Sequence, residues 1–180
     1  ACFERWEHIP PFDFQITMSS LPLVFGTTLE TIPAATPYLF ADQTKAAAWR
    51  TKLGAAAQGR KTVGIVWQGR PTHPNDRVRS LALSTLMPLL ELDGIMPVSL
   101  QVGAGREQLA QHPAKSRVFD AADELKDFGD TAALIANLDC VVTIDSAIAH
   151  LTGGLGKRGL VMLPRAAEWR WLIDRADSPW

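Results

Sequence analysis

The sequence predicts an α/β fold, in which a parallel sheet carries helices on both faces and is preceded by a loop-rich segment. From residue 62 onward, short apolar runs alternate with longer segments of helical character, which is the element order of βαβ units. The apolar runs are continuous rather than alternating, as is typical of parallel strands that are buried on both faces. With 180 residues, of which 47% are hydrophobic and 21% charged, the chain can bury a sizeable core.

The first forty residues predict the loop-rich segment. Prolines at positions 10, 11, 22, 33 and 37 interrupt its short apolar pieces, so long helices are not expected there. A helix is expected to follow, with Asp42 as its N-cap and Gly54 just beyond its end. This helix would connect the leading segment to the first strand.

Five strands and five further helices are expected after this connector. The predicted strands are residues 62–67, 96–100, 117–119, 140–144 and 160–163. The predicted helices are residues 84–92, 105–112, 131–138, 146–155 and 166–173, with Asp130 as the cap of the third. Ligands of an open parallel sheet bind beyond the carboxyl ends of its strands. Candidate functional residues are therefore expected in the segments that follow strands.

The segment after the fourth predicted strand is the most informative one. Asp145 and Ser146 stand where that strand ends and a helix of small residues begins. A helix start presents unpaired N–H groups and the positive end of the helix dipole, which together suit a pyrophosphate. His150 lies four residues after Ser146 and therefore on the same helix face. An ordinary N-cap followed by an interior histidine explains the pattern equally well.

The segment after the first predicted strand holds a second group of polar residues. Residues 67–80 contain Arg70, Arg77, Arg79 and His73 beside prolines and glycines. Arginine suits bidentate contacts to phosphate, although a solvated surface loop is the commoner explanation for such a cluster. Because both polar segments follow strands of one sheet, together they favour a phosphorylated ligand.

Composition and spacing exclude or disfavour several other classes. A formal net charge of -1 argues against nucleic-acid binding through general basicity, and no apolar run has the length of a membrane span. The sequence has no GxGxxG fingerprint, which disfavours an NAD-dependent enzyme. Its two cysteines and four histidines lack the spacing of a disulfide framework or a metal site. The N-terminal residues do not form a signal peptide, so a cytoplasmic location is expected.

These segments resemble glycosyltransferase family 9, the heptosyltransferase-like proteins, and more closely the bacterial branch that is fused behind tetratricopeptide repeats. The matching pieces run in order along nearly the whole chain, so the resemblance is more specific than any single motif. They are residues 20–23, 25–27, 32–33, 37–39, 63–69, 73–80, 99–101, 127–132, 145–150 and 169–171.

The resemblance implies the GT-B architecture, in which two Rossmann-like domains face each other and the C-terminal one binds a nucleotide-sugar donor. It implies that residues 59–180 form this Rossmann-like donor domain, and that residues 1–58 are a remnant of the N-terminal domain with a linker helix. The donor-binding residues that it implies are Gln68, Arg77, Arg79, Gln101, Asp145, Ser146, Ala147 and His150.

The implied function is transfer of a sugar from a nucleotide-diphosphate donor to an unknown glycan, lipid or protein acceptor, by inversion and without a metal or other cofactor. Arg77 or Arg79 stands at the family's basic diphosphate contact, and Ser146 keeps the hydroxyl of the family's commoner threonine. The family's catalytic base belongs to the N-terminal domain, so no catalytic residue is assigned and this chain alone is expected to transfer nothing. A non-catalytic nucleotide-binding or protein-interaction module is the alternative, and a nucleotide-sugar epimerase is a third possibility.

Overall fold

The computed structural model describes residues 6–172 and 174–179, and its contacts divide the chain into two units. The smaller unit comprises residues 1–34 with 177–180. Its described part holds 3-10 turns at Trp6–His8 and Met18–Ser20 and one helical turn, α1, at Leu21–Val24. From residue 7 to residue 34 none of its side chains is buried, in keeping with the predicted loop-rich segment.

The larger unit, residues 35–176, is built on a five-stranded parallel sheet, as predicted. Its strands are β1 (Lys61–Ile65), β2 (Ile95–Ser99), β3 (Phe119–Asp120), β4 (Cys140–Ile144) and β5 (Gly159–Met162). They lie in the order β3-β2-β1-β4-β5, and all four pairings are parallel. The chain moves from β1 towards one edge and later returns to its other side as β4. The segments after β1 and β4 therefore diverge, which opens a crevice at the carboxyl ends of the strands.

The helices of the larger unit are α2 (Gln43–Ala57), α3 (Asp76–Arg79), α4 (Met87–Leu90), α5 (Arg106–Gln111), α6 (Phe128–Ile135) and α7 (Ala147–Gly154). The α2 helix begins at its predicted cap, since the Asp42 carboxylate accepts a 2.8 Å hydrogen bond from the Lys45 N–H. It continues through Gly54, and the left-handed residue that closes it is Gln58. The α2 helix belongs to the larger unit, which begins at residue 35.

Two apolar clusters, one on each face of the sheet, hold the helices in place. Trp49 of α2 and Leu134 of α6 belong to one cluster, and Leu90 of α4 and Leu109 of α5 belong to the other with Ile65 of β1. Each fully buried side chain of this size contributes about 1.5–3 kcal/mol relative to exposure. The sheet is thus covered on both faces, which confirms the predicted layering.

Three predicted elements differ from the structure. Residues 84–92 form a 3-10 turn at Leu83–Leu86 and then only α4, because Pro88 lacks the N–H that a continuous helix requires. The strand predicted at 117–119 is displaced to Phe119–Asp120 by a 3-10 turn at Pro113–Arg117. The helix predicted at 166–173 is only a 3-10 turn at Trp169–Trp171, and Ile173 lies outside the described residues.

The cap of α6 is also different from the prediction. Asp127, rather than Asp130, is the N-cap, and its carboxylate accepts a 2.8 Å hydrogen bond from the Asp130 N–H. The Asp130 carboxylate instead binds the ammonium group of Lys45 on α2 at 2.6 Å. Both acids satisfy N–H groups or a cation near the helix start, so the sequence pattern alone could not separate them.

Across residues 6–172 and 174–179, none of the helices combines the length and the apolar composition needed to cross a bilayer.

Candidate functional site

Two clefts open in the larger unit where the strands end. The large cleft has a volume of about 910 Å³ and the small cleft a volume of about 580 Å³. Three residues line both of them, namely Arg79, Ser146 and Ala147. The two clefts therefore meet at the start of α7, next to one arginine side chain.

The large cleft lies over the carboxyl ends of β1 and β2 and the first residues of α6. Many of its lining side chains are apolar: Val66, Leu100, Val102, Leu125, Phe128 and Ile148. Phe128 is 60% exposed and Val102 is 54% exposed, so both present exposed apolar surface to the cleft. Walls of this kind suit a flat, largely apolar group.

The small cleft has a more polar lining. Its side chains include His73, Asn75, Asp145, His150, Glu168 and Arg170. They come from the segment after β1, from the end of β4 and α7, and from the segment after β5. Because this set combines donors with carboxylate acceptors, the small cleft suits a ligand that carries several hydroxyl groups.

Arg79 is the cation that the two clefts share. Its side chain is only 14% exposed, and Nη1 donates a 3.0 Å hydrogen bond to the carbonyl oxygen of Asp145. Its Nε lies 3.5 Å from a carboxylate oxygen of Asp76 but makes no well-aligned hydrogen bond. A guanidinium that is mostly buried and incompletely hydrogen-bonded is well suited to an anionic ligand.

A chain of polar contacts fixes the position of Arg79. The Asp76 carboxylate that faces Arg79 accepts a 2.9 Å hydrogen bond from the Ser80 hydroxyl, whose oxygen in turn accepts one from the Gly69 N–H at 2.9 Å. Gly69 also leaves room for the guanidinium, since a Cβ there would lie 2.6 Å from Nη2 of Arg79. The segment after β1 therefore holds Arg79 against the end of β4.

The start of α7 supplies N–H groups beside this cation. Ser146 is the extended N-cap residue, and its hydroxyl oxygen accepts a 3.3 Å hydrogen bond from the Ile148 N–H. Ala147 follows with an exposed position and only a methyl side chain. The backbone of the first turn is therefore open to a ligand, and the helix dipole adds positive potential there.

His150 lies one turn further along α7 and stacks on Trp171. The ring centroids are 5.3 Å apart and the planes are inclined by 22°. Burial lowers the pKa of His150 below 6.5, and the nearby positive charge of Arg170 lowers it further, while Asp145 and Glu168 oppose both effects. The imidazole is therefore neutral at pH 7, with one face covered and the remainder exposed.

Gln101 and Gln68 shape the floor of the large cleft. The buried Gln101 amide accepts hydrogen bonds from the N–H groups of Trp67 and Gln68 and donates to the carbonyl groups of Gln68 and Ala104. All of these bonds are between 2.7 and 3.1 Å long. Because the amide is fully used inside the protein, Gln101 positions the ends of β1 and β2 rather than offering free groups to a ligand.

The structure brings together seven of the eight donor-binding residues that the resemblance implies. Gln68, Gln101, Arg79, Asp145, Ser146, Ala147 and His150 line one or both clefts. Arg77 does not, because it is exposed and points away from both lining sets. Arg77 and Arg79 are two positions apart on α3, so the two side chains leave this one-turn helix in different directions.

Several lining residues are not among the eight donor-binding residues that the resemblance implies. His73 and Asn75 belong to the same polar segment as Arg79, and the sequence already indicated His73 as a candidate there. Glu168 and Arg170 belong to a cluster whose tryptophans could stack on a base or sugar, although their helical spacing favours packing against a core. Among the described ranges 6–172 and 174–179, no three His, Cys, Asp or Glu side chains lie together as a cation site.

Comparisons with known proteins give one curated relative and one solved structure, and no protein-family model matches the chain. Protein FlbA of Caulobacter vibrioides is 28% identical over 171 residues, which cover 92% of this chain and 28% of FlbA. The E. coli ADP-heptose LPS heptosyltransferase II superposes with a TM-score of 0.54 at 21% identity, over 72% of this chain and 40% of that chain. The chain thus spans less than half the length of either protein.

An identity of 21% with a solved structure establishes a shared fold and nothing finer. This chain is therefore a Rossmann-like parallel α/β unit of the kind that occurs within that heptosyltransferase.

Proposed function

We propose that this chain is the nucleotide-sugar-binding part of a glycosyltransferase. The observation that carries the proposal is the position of Arg79, which is mostly buried and lies with the start of α7 where the two clefts meet. A nucleotide-sugar has the matching layout, because its diphosphate joins a nucleoside to a sugar. The fold shared with a heptosyltransferase agrees with this assignment.

In this proposal the diphosphate binds to Arg79 and to the N–H groups at the start of α7. The nucleoside occupies the large cleft, where Val102 and Phe128 offer exposed apolar surface. The sugar occupies the small cleft, whose polar side chains suit its hydroxyl groups. The distribution of apolar and polar residues between the two clefts supports this orientation over the reverse one.

The chemistry follows from where negative charge develops. An acceptor hydroxyl oxygen bonds to the anomeric carbon of the sugar, the bond from that carbon to the diphosphate breaks, and the acceptor proton passes to a base. Arg79 and the first turn of α7 stabilise the negative charge of the departing nucleoside diphosphate, which is the task that a metal ion performs in other transferases. We assign the base to a part of the whole protein outside this chain, so the acceptor also binds there in part.

Calorimetric titration with ADP-, GDP-, UDP- and CDP-linked sugars tests the proposed binding. At least one of them is expected to bind. Arg79→Ala should lower the affinity for that nucleotide-sugar at least tenfold, and Arg79→Lys should lower it severalfold. Arg77→Ala is the matched control, because Arg77 lies on the same helix outside both clefts, and its affinity should stay within twofold of wild type. Circular dichroism confirms that each variant is folded. No heat with any of the four at millimolar concentration would overturn the proposal.

A second experiment separates an enzyme from a binding module. The full-length protein is incubated with the nucleotide-sugar that binds and with cell extract as a source of acceptors, and release of the nucleoside diphosphate is measured. Release that depends on Arg79 supports a glycosyltransferase. Tight binding without any release would instead favour a non-catalytic nucleotide-binding module.

A further inference from the structure

We propose that His73 is a specificity-determining residue that recognises the transferred sugar, and that it does so from the part of the small cleft that the segment after β1 forms. This inference rests on the proposed function, because it assigns the small cleft to the sugar. It adds a residue for which the family resemblance implies no role.

The segment after β1 fixes both the backbone and the ring of His73. The His73 N–H donates to the carbonyl oxygen of Arg70 at 2.9 Å, and the His73 carbonyl oxygen accepts from the Asp76 N–H at 3.0 Å. In the ring, Nδ1 accepts a 3.2 Å hydrogen bond from the Asn75 N–H. Because Nδ1 is used as an acceptor, Nε2 is the ring nitrogen that can donate. Nε2 of His73 is therefore the ring atom that can donate a hydrogen bond to a ligand in the small cleft.

The segment after β5 forms another part of the same cleft, and its Glu168 is a carboxylate acceptor. One oxygen of Glu168 is bound by the N–H and by Nε of Arg170, at 3.2 and 2.6 Å, which fixes the direction of the carboxylate. The 3-10 turn that follows Glu168 is anchored by Trp171, which is buried and stacks on His150 of α7. Both parts of the cleft are thus held in place by contacts within the protein, before any ligand binds.

A donor in one part of the cleft and fixed acceptors in the other discriminate among ligands by the arrangement of their hydroxyl groups. A site built to hydrogen-bond a hydroxyl group rejects analogues without it more strongly than an apolar pocket rejects a change of size. In the proposed orientation the sugar lies in the small cleft and the nucleoside lies in the large one. Recognition of the transferred group is therefore concentrated at the small cleft.

The test compares two ligands that differ only in the sugar. Affinities of wild type, His73→Ala and His73→Gln are measured for the nucleotide-sugar that binds best and for its nucleoside diphosphate. His73→Ala should weaken the nucleotide-sugar at least fivefold and leave the nucleoside diphosphate within twofold. His73→Gln, which keeps a side-chain donor, should restore part of the loss.

His112→Ala is the matched control. Its Nδ1 also accepts a hydrogen bond from the N–H two residues later, that of Ala114 at 3.2 Å, yet His112 lines neither cleft. Both affinities should stay at the wild-type value in this variant. Equal losses for both ligands in His73→Ala, or no loss for either, would overturn the inference while leaving the proposed function intact. Failure of wild type to bind either ligand would instead overturn the proposed function and this inference together.

Discussion

His150 and Trp171 stack with their ring centroids 5.3 Å apart, and this contact joins α7 to the segment that follows β5. Trp171 is buried, whereas Trp169, two residues earlier, is 54% exposed. The segment after β5 is therefore fixed to the helix that begins between the two clefts. Any change in the charge of His150 acts at this junction, beside the proposed diphosphate position.

We expect the binding of a nucleotide-sugar to strengthen as the pH falls. The pKa of free His150 is lowered by burial and by Arg170, so the ring is neutral at pH 7. A bound diphosphate would raise that pKa, and binding would then take up a proton. The affinity should rise about three- to fivefold between pH 7.5 and pH 5.5. Uptake of one proton limits such a rise to tenfold for each pH unit, so the expected change lies below this limit. Asp145 and Glu168 also face the ring, and their negative charges oppose the effect of Arg170.

Calorimetry across this pH range checks the expectation, and a nucleotide-sugar is the right ligand because its phosphodiester groups do not titrate there. In His150→Gln the affinity should no longer depend on pH, whereas in His73→Gln it should still rise as the pH falls. An unchanged slope in His150→Gln would show that another group takes up the proton.

Gly69→Ala should weaken the binding of the diphosphate without unfolding the sheet. An added Cβ would lie 2.6 Å from Nη2 of Arg79 and 2.7 Å from a carboxylate oxygen of Asp76, so both flexible side chains must move. Displacement of the guanidinium should lower the affinity for a nucleoside diphosphate about tenfold. Gly54→Ala on α2 is the control, since a Cβ there meets nothing within 4 Å. Equal affinities in the two variants would mean that the exact place of Arg79 is unimportant.

Alanine substitutions at two adjacent glycines of α7 should have opposite effects on the free energy of unfolding. A Cβ at Gly153 meets nothing within 4 Å, whereas one at Gly154 would lie 2.7 Å from Cδ1 of Leu39 and 3.1 Å from the Tyr38 ring. Gly153→Ala should raise the free energy of unfolding by about 0.5–1 kcal/mol through helix propensity. Gly154→Ala should lower it by about 1–2 kcal/mol, because Tyr38 and Leu39 both donate hydrogen bonds to the Gly154 carbonyl oxygen and cannot easily withdraw. Urea denaturation monitored by circular dichroism measures both, and a change of the same sign would contradict the predicted packing.

Asp139 should make the free energy of unfolding of the larger unit depend on pH in the acidic range. Its carboxylate is bound by the Lys61 ammonium group at 2.9 Å and by the Thr62 N–H at 2.8 Å, and these contacts lower its pKa to about 2. The unfolded chain therefore binds a proton at higher pH than the folded one. The stabilisation is complete above about pH 5 and is lost as the pH falls towards 2. Since the side chain is 40% exposed, solvent screening limits the contribution to about 1 kcal/mol.

Unfolding of wild type and Asp139→Asn between pH 2.5 and pH 6 checks this dependence. The free-energy difference between the two proteins should shrink as the pH falls, because Asn keeps an acceptor for Thr62 but cannot titrate. A difference that is constant over this range would assign the acid sensitivity to other carboxylates.

The sheet and its parallel pairing could be predicted from the sequence, but the direction of individual side chains could not. Continuous apolar runs are a local signal, so β1, β2, β4 and β5 could be predicted within a few residues. The difference between Arg77 and Arg79 depends on the single turn of α3, which has no apolar periodicity to reveal it. The role of Gln101 as an internal clamp depends on backbone groups of Trp67 and Gln68, which are more than thirty residues away and which no local pattern encodes.

The hydrogen bond from Arg79 to the Asp145 carbonyl oxygen joins residues 66 positions apart in the chain. The segment between them contains β2, β3 and α6, so this contact closes a long loop. We therefore expect the candidate site to be assembled late in folding, after β1 and β4 have paired. Any ligand that spans Arg79 and α7 would bind the finished fold alone, and its binding would serve as a direct measure of how much of the chain has folded.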